Sequence, residues 1–470
     1  MSYKKGISVG LINVPIQVLS ALAANVIIIN QIGKGNLDVW YLLISTMPLF
    51  TALELSFPSL MLRNLNKKAK TRRVVRDYLI KAICLSTLLQ FIAILSIKLY
   101  LGVFESSVWL FFVGAYLRTI ANIVISVPYS RGFIVHEKIY RVSYASLLPV
   151  TIVALFTVVG NLDLYWLYVV WFLSSIAVFI FAGLSYNKSN VELDSVEYCS
   201  KGLKFKFKEN LSLLATTVPG LFIFNLSIYY LKAYSSNEDV VTYGFILQLV
   251  NVYYLVNNII PSVFAPNLSK SFFSGNKVSS EVLKIVDCNV CLAVLAFIFI
   301  FLVGEDILGL LFSTSFDIEE IRSILFCIAI FILIESIQVT LTFFGISTGK
   351  YNYHYQSLCS AILVTVLSYY LIPLYGYLGL VYSVCSAQVL TCLPFNTYLV
   401  CKHLEIDLTL IIKRMILLLV SFSSLLTLQQ LIRDDGIFFQ ILCFAIALTT
   451  ALLIMYKLVM VKILRKSSCA

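Results

Sequence analysis

The sequence predicts an all-α polytopic membrane protein, and three observations carry this prediction. Of the 470 residues, 60% are hydrophobic and only 13% are charged, whereas ordinary soluble domains are about 25% charged. The mean hydropathy is +0.92. Apolar runs of about 20 residues, the length of a helix that spans a bilayer, recur almost without pause. This composition excludes a soluble multidomain enzyme, a fibrous protein and a disordered chain.

The apolar runs predict about fourteen transmembrane helices. They are much longer than the strands of a membrane barrel and lack the two-residue alternation of such strands. The predicted spans lie near residues 8–30, 39–62, 78–100, 107–128, 142–160, 163–184, 211–233, 241–265, 285–303, 321–345, 355–373, 376–400, 410–430 and 437–459.

The distribution of basic residues predicts the orientation of these spans. Lys and Arg are retained in cytoplasmic loops, and the loop at 63–76 alone carries seven of them. The loops on the opposite side hold few basic residues, such as Lys34 and Arg322. The net charge of +11 is therefore attributed to cytoplasmic loops and not to nucleic-acid binding. Both termini are expected in the cytoplasm.

A basic linker and an internal repeat predict two similar halves. The linker at 185–210 separates a six-helix bundle at 1–184 from a second at 211–402, and residues 403–470 form an additional helix pair and a tail. An even number of spans per half gives both halves the same orientation, related by an axis along the membrane normal. Two such bundles are expected to enclose a central cavity and to work by alternating access.

The repeat itself is visible as short motifs at one offset of about 203 residues. The first is Pro58-Ser59, Asn64-Leu65 and Lys67, which recurs as Pro261-Ser262, Asn267-Leu268 and Lys270. The second is Asp38-Val-Trp-Tyr41, which corresponds to Asp239-Val-Val-Thr-Tyr243.

Several segments resemble one superfamily of exporters. They are Gly33-Lys-Gly-Asn-Leu-Asp-Val-Trp-Tyr41, the segment Pro58 to Lys68, Gly349-Lys350 and the basic linker between two six-span halves. With this layout, the chain resembles the multidrug/oligosaccharidyl-lipid/polysaccharide (MOP) exporter superfamily, which includes the multidrug-exporting MATE transporters. Within the superfamily it looks most like the bacterial polysaccharide flippases of the O-antigen (Wzx) type.

The resemblance implies a function. Such flippases translocate undecaprenyl-pyrophosphate-linked oligosaccharide, an O-antigen (lipopolysaccharide) or capsule repeat unit, across the bacterial inner membrane. It implies a transporter and not an enzyme, with no cofactor beyond a proton or sodium ion that couples transport. The expected partners are the lipid-linked glycan, the bilayer, a polysaccharide polymerase and a chain-length regulator.

Two alternatives stay open. A multidrug or cation antiporter of the same fold predicts an acidic cavity and an Arg118 directed at lipid or protein. The extra pair of spans after span 12 favours the lipid-linked substrate. A membrane polysaccharide polymerase or ligase requires a sizeable outer loop, but the longest predicted outer loop, 304–320, is short and contains an apolar segment at 307–312 that is typical of an interfacial helix.

Three charged residues within the spans are the first candidates for the site, because a charge at the bilayer centre costs about 2.5–3.5 kcal/mol on insertion scales. Arg118 is expected to contact the pyrophosphate, since a guanidinium binds phosphate bidentately and stays charged when buried. Glu54 and Glu335 are expected to bind a proton or cation. The alternative for Arg118 is a structural ion pair with Glu54.

Amides complete the candidate set. Asn25, Asn225, Asn251 and Gln338 lie in predicted spans and are candidates for sugar recognition. Amides in membrane helices also bond neighbouring helices, and that alternative stays open for each. No metal site is expected, because the three histidines are far apart in the sequence.

Overall fold

The computed structural model describes residues 3–54, 57, 72–101, 107–130, 133–191, 218–312, 315–349, 353–432 and 449. Within these residues all regular secondary structure is helical. The chain forms two compact units, Met1–Leu221 and Phe222–Ala470, each of which is described by itself.

The helices of both units follow the order of the predicted spans. In unit 1 they are α1 (Tyr3–Ile32), a 3-10 turn (Lys34–Asn36), α2 (Asp38–Ser45), α3 (Met47–Ala52), α4 (Arg72–Leu101), α5 (Val108–Ser130), α6 (Ile134–Val159) and α7 (Leu164–Val191). In unit 2 they are α8 (Ile228–Tyr234), α9 (Asn237–Asn257), α10 (Ile259–Phe273), α11 (Ser279–Phe299), α12 (Glu305–Phe312), α13 (Ile318–Ser347), α14 (His354–Tyr375), α15 (Tyr377–Ala387), α16 (Leu393–Leu404) and α17 (Leu408–Ile432).

Ten helical segments among the described residues are long and apolar enough to cross a membrane. They coincide with predicted spans 3 to 6 and 8 to 13, and α1, with 30 residues, coincides with span 1. The all-α membrane architecture predicted from the sequence is confirmed. Span 14, at 437–459, lies outside the described residues apart from residue 449.

Predicted spans 2 and 7 are less regular than expected. The helix of span 2 is interrupted at Thr46, whose Oγ1 donates a hydrogen bond to the carbonyl of Leu43 at 2.6 Å. Pro48 then lies in the first turn of α3, where the missing N–H costs no helical hydrogen bond. The described part of span 7 contains a π-helical turn, Phe222–Leu226, before α8. The whole of the Pro58 to Lys68 segment belongs to the part of the chain that is not described.

The predicted linker and outer loop are partly helical. α7 continues through Val191, so the linker predicted at 185–210 begins inside this helix, and residues 192–217 lie outside the description. The domain boundaries therefore stay a prediction. The predicted interfacial helix at 307–312 falls within α12, which continues from α11 through a π-helical turn at Ile300–Gly304.

The second repeat motif has equivalent positions in both units. Asp38 is the first residue of α2, and Asp239 lies in the first turn of α9. Tyr41 and Tyr243, which end the two motifs, are both fully buried. Each motif therefore starts a helix and then places a Tyr in the core of its own unit.

The cores of the two units have different centres. In unit 1, α5 packs along α7, and α1 packs along α6. In unit 2, α13 is central, because it packs against α9, α11 and α16. The additional helix α17 packs against α11, and a bidentate ion pair between Arg414 and Asp287 joins these two helices.

Candidate functional site

Arg118 lies near the middle of α5 and is only 3% exposed. Its Nε donates to Ser175 Oγ at 3.0 Å, and its Nη2 donates to Ser174 Oγ at 3.0 Å. Its Nη1 donates to the carbonyl of Tyr144 at 2.8 Å. The guanidinium carbon lies 4.2 Å from the ring centre of Trp171 and 4.7 Å from that of Tyr144. Side chains from α6 and α7 thus enclose the cation on three sides.

These partners of Arg118 are neutral. No carboxylate among the described residues forms a salt bridge with it. The ion pair with Glu54 that the sequence left open is therefore not formed. Hydroxyl and carbonyl dipoles and aromatic faces stabilise the guanidinium, but they do not cancel its charge. Among the described residues of unit 1, Arg118 is therefore a buried cation that no carboxylate pairs with.

Glu54, in the turn after α3, belongs to a second group of polar residues, which contacts the same helix, α5, at Asn122. It is 4% exposed, and its Oε1 accepts a hydrogen bond from Asn122 Nδ2 at 2.9 Å. Asn122 Oδ1 accepts in turn from the hydroxyl of Tyr140 at 2.7 Å. Asn122 lies one helical turn after Arg118, so residues at helical spacing on α5 serve two different groups.

The two groups meet on α6. The rings of Tyr140 and Tyr144 lie one turn apart with centroids 6.0 Å apart, and Tyr144 also contacts Arg118. We call the set Glu54, Asn122, Tyr140, Tyr144, Arg118, Ser174 and Ser175 the unit 1 polar network. Five of its seven members were not predicted from the sequence. The signal that could have identified Asn122 is its spacing of four residues from Arg118.

Trp171 lies between Arg118 of this network and a group of aromatic side chains in unit 1. Its ring stacks on Phe111 with centroids 5.0 Å apart, and its Nε1 donates to the carbonyl of Phe111 at 3.0 Å. Its other neighbour is Trp40 of α2, whose ring lies edge-on with centroids 6.4 Å apart. The ring that supports Arg118 is therefore itself held in one position.

In unit 2, Glu335 is the buried acid on α13. It is 3% exposed, and its Oε1 is buried without a hydrogen-bond partner among the described residues. Tyr254 on α9 and Cys385 on α15 are near enough to interact with it electrostatically. The Tyr254 hydroxyl is also buried without a partner in the described part of the chain. Buried polar atoms without partners are rare and call for an explanation such as a bound water or ion.

Amides continue this arrangement one turn further along α13. Gln338 Nε2 donates to Gln388 Oε1 at 3.3 Å, and Gln388 Nε2 donates to Ser360 Oγ at 3.4 Å. Gln388 opens a π-helical turn, Gln388–Cys392, and such turns occur frequently at functional sites. Because Gln338 Oε1 keeps no partner in the described residues, an acceptor remains free beside Glu335.

Two asparagines extend the polar surroundings of α13. Asn289 Nδ2 donates to Thr340 Oγ1 at 2.7 Å, and Asn257 Nδ2 donates to the carbonyl of Ser336 at 3.5 Å. The Oδ1 of each asparagine is buried and unpaired as far as the structure describes the chain. We call the set Glu335, Gln338, Tyr254, Asn257 and Asn289 the unit 2 oxygen cluster. Each member contributes a buried oxygen without a described partner.

The remaining predicted residues are not hydrogen-bonded to these two sets in the part of the chain that the structure describes. Asn25 is buried in α1, Asn225 is half-buried in the π-helical turn before α8, and Asn251 is exposed on α9. None of the described hydrogen bonds joins them to Arg118 or Glu335. The described residues contain no group of three His, Cys, Asp or Glu side chains that could hold a metal ion.

Comparison with known proteins identifies one relative by sequence. The capsular polysaccharide biosynthesis protein CapF of Staphylococcus aureus is 27% identical over 193 residues. This match covers 40% of the chain and 46% of that protein, so it spans about half the length of the relative. No protein-family model matches the chain.

Solved structures match over far more of the chain. The lipid II flippase MurJ, in an inward closed conformation, has a TM-score of 0.62 at 13% identity and covers 96% of the chain and 98% of its own. A MOP superfamily transporter from Pyrococcus furiosus has a TM-score of 0.62 at 12% identity, covering 87% of the chain and 98% of its own. An outward-facing multidrug resistance MATE transporter has a TM-score of 0.62 at 13% identity, covering 86% and 97%. The chain has the fold of the MOP superfamily, as its resemblance to these exporters predicted.

Proposed function

We propose that the protein is a flippase that moves undecaprenyl-pyrophosphate-linked oligosaccharide across the bacterial inner membrane by alternating access. The observation that carries this proposal is the extent of the fold shared with the lipid II flippase. That match leaves at most 4% of the chain uncovered, about 19 residues, which is fewer than the 25 residues of α17. The shared fold therefore reaches into the helix that follows the twelve spans of the two bundles.

The relative CapF supports the class of substrate. Its name associates it with the biosynthesis of capsular polysaccharide, a polymer of the kind assembled from lipid-linked repeat units. Under this proposal the substrate is a capsule or O-antigen repeat unit, and the flipped product is passed to a polysaccharide polymerase and its chain-length regulator. The sequence identity to CapF is spread over 193 residues, so it supports a common ancestor beyond the fold alone.

The unit 1 polar network provides the positive charge that a pyrophosphate requires. Arg118 already donates three hydrogen bonds within the protein, which leaves two of the five N–H donors of its guanidinium for a phosphate. Its charge, which no described carboxylate pairs with, also acts at a distance, because fields are screened weakly in a low-dielectric interior. We assign Arg118 the role of a fixed cation that attracts the anionic headgroup toward unit 1.

The unit 2 oxygen cluster supports the proposal for energy coupling. An ionisable residue within the membrane is a functional candidate by default, and the Tyr254 hydroxyl, which has no partner among the described residues, is near enough to interact with Glu335. Carboxylate and amide oxygens suit a hard cation such as sodium, and a carboxylate also binds a proton. We therefore assign Glu335 the binding of the coupling proton or sodium ion.

One observation favours a second candidate, a multidrug or cation antiporter of the same fold. That alternative predicts an Arg118 directed at protein, and the guanidinium is in fact enclosed by α6 and α7. The match to the MATE transporter has the same TM-score as the match to the lipid II flippase. The match to the lipid II flippase covers 96% of the chain, whereas the match to the MATE transporter covers 86%. This difference and the similarity to CapF favour a lipid-linked glycan as the substrate.

Complementation of a strain that lacks the chromosomal copy tests the proposal. Arg118→Met keeps the volume of the side chain and removes its charge, so it is expected to abolish surface polysaccharide while protein abundance stays normal. Arg118→Lys keeps the charge without the planar fork and is expected to retain partial function. Lys413→Gln, which removes an exposed positive charge on α17, serves as the matched control.

The same strains distinguish the two candidates. The flippase proposal expects surface polysaccharide to follow the Arg118 variants while susceptibility to cationic drugs stays constant. Drug susceptibility that rises in the deletion strain, with polysaccharide unchanged, would support the antiporter instead. Normal polysaccharide in Arg118→Met would remove this residue from the mechanism.

A further inference from the structure

Unit 2 contains a crevice that the proposed transport mechanism does not use. Its volume is about 400 Å³, within the 300–1,000 Å³ typical of ligand-binding clefts. It lies where the α11–α12 junction, the start of α13 and the end of α17 come together. The lining residues are Phe301, Glu305, Arg322, Ser323, Leu325, Phe326, Leu426 and Gln429.

The lining is ordered by depth. Polar and apolar lining residues are paired one helical turn apart on the same helix face. The pairs are Glu305 with Phe301, Arg322 with Leu325, and Gln429 with Leu426. The crevice therefore has a polar rim and an apolar floor.

The rim lies at the membrane interface. The apolar span of α17 ends at Gln429. α13 has 30 residues, about 45 Å of helix, which exceeds the roughly 30 Å of the hydrocarbon core. Its first turns, which include Arg322, consequently extend to the level of the lipid headgroups. The floor faces the depth of the acyl chains, so the crevice matches the two parts of an amphiphile.

The charges of the rim restrict the headgroup. Arg322 Nη2 donates to Glu305 Oε1 at 2.6 Å, and the two side chains are 34% and 27% exposed. This hydrogen bond uses one of the five N–H donors of the guanidinium and one acceptor site of the carboxylate. Arg322 can therefore donate further hydrogen bonds to a ligand, and Glu305 can accept them. The lining holds one carboxylate, on Glu305, and one guanidinium, on Arg322. These two opposite charges complement a headgroup that carries both a phosphate and an ammonium, whereas a headgroup with a phosphate alone leaves Glu305 without a cationic partner in the lipid.

We propose that this crevice binds a zwitterionic aminophospholipid, with its phosphate on Arg322 and its ammonium on Glu305. An ammonium is preferred over a quaternary choline because it can donate hydrogen bonds to the carboxylate. An acyl chain lies along Phe301 and Leu426 and fills the space between α17 and the bundle. The Arg414–Asp287 ion pair joins the first half of α17 to α11, whereas the crevice lies at the end of α17. The lipid and the ion pair together hold both halves of α17. This site is independent of the proposed transport function.

Native mass spectrometry of the purified full chain tests the proposal. The protein is mixed with equal amounts of phosphatidylethanolamine, phosphatidylcholine and phosphatidylglycerol, and the bound lipids are counted. One interfacial charge contact corresponds to about a fivefold preference, so we expect phosphatidylethanolamine to exceed phosphatidylglycerol by about fivefold. Equal retention of the three lipids by the parent protein would overturn the proposal.

Variants separate this crevice from general lipid adhesion. Arg322→Gln and Glu305→Gln are each expected to reduce the preference to less than about twofold, whereas Lys413→Gln, at the other end of α17, is expected to leave it unchanged. A preference that persists in both rim variants would also overturn the proposal. If one rim variant fails to fold, the other variant still tests the proposal. A second expected readout is the thermal midpoint of the parent protein, which should rise more on adding phosphatidylethanolamine than on adding phosphatidylglycerol.

Discussion

Gly114 on α5 provides a sharp test of how the unit 1 polar network is packed. A Cβ added there would lie 2.6 Å from Trp171 Nε1, 2.7 Å from Trp171 Cδ1 and 3.0 Å from Ser175 Oγ. Trp171 cannot retreat easily, because it is stacked on Phe111 and donates a hydrogen bond to the backbone there. Gly114→Ala is therefore expected to displace the ring that supports Arg118.

The magnitude follows from three contributions. Overpacking of a filled core costs about 1–3 kcal/mol, and loss of the Trp171 hydrogen bond costs about 1 kcal/mol. The higher helix propensity of Ala returns up to about 1 kcal/mol. The net expectation for Gly114→Ala is a loss of about 1–3 kcal/mol in the free energy of unfolding. Gly183 on α7 is the matched control, since an added Cβ there meets nothing within 4 Å, and Gly183→Ala is expected to be neutral or stabilising.

Thermal denaturation of the two purified variants in the same detergent measures the difference. Gly114→Ala should unfold at a lower temperature than the parent, and Gly183→Ala at the same or a higher temperature. Surface polysaccharide in the complementation assay should fall for Gly114→Ala alone. If the two variants unfold at the same temperature, the close approach of Trp171 to α5 is wrong, and so is the rigid enclosure of Arg118.

Two further predictions concern Glu54 and α17. Asn122→Asp places a second carboxyl beside Glu54 and keeps an acceptor for the Tyr140 hydroxyl. One of the two carboxyls must then bind a proton, so thermal denaturation measured against pH should show that the stability lost at neutral pH is regained as the pH falls. A loss of stability that does not depend on pH would contradict the contact between Asn122 and Glu54. Arg414→Gln removes the bidentate pair with Asp287 and should cost about 1–3 kcal/mol; a double-mutant cycle with Asp287→Asn that gives no coupling energy would show that the pair does not hold α17.

The arrangement of helices along the chain was largely predictable because the bilayer imposes it. Length and hydropathy alone place most spans, and ten of them coincide with helices that could cross a membrane. The irregular places were not predictable, since they depend on local backbone hydrogen bonds and not on mean hydropathy. The break at Thr46 and the π-helical turn that begins at Gln388 are examples.

The candidate site was predicted in its charges but not in its contacts. Arg118, Glu54 and Glu335 are all buried, as charges placed within apolar runs suggested. Sequence could not tell which face of α5 Arg118 occupies, so it left an ion pair with Glu54 open, although the pair is not formed among the described residues. Ser174 and Ser175 were missed because small hydroxyl residues are common in membrane helices, and only packing of α5 on α7 brings them to the guanidinium.

The movement of lipid-linked oligosaccharide between leaflets tests the central proposal most directly. Spheroplasts of a depleted strain and of the complemented strain can be treated with a membrane-impermeant glycosidase, and the cleaved fraction of undecaprenyl-pyrophosphate-linked oligosaccharide can then be quantified. A flippase predicts that the glycan is protected in depleted cells and cleaved in complemented cells, with Arg118→Met resembling depletion. Equal cleavage in the depleted and complemented strains would contradict the proposal.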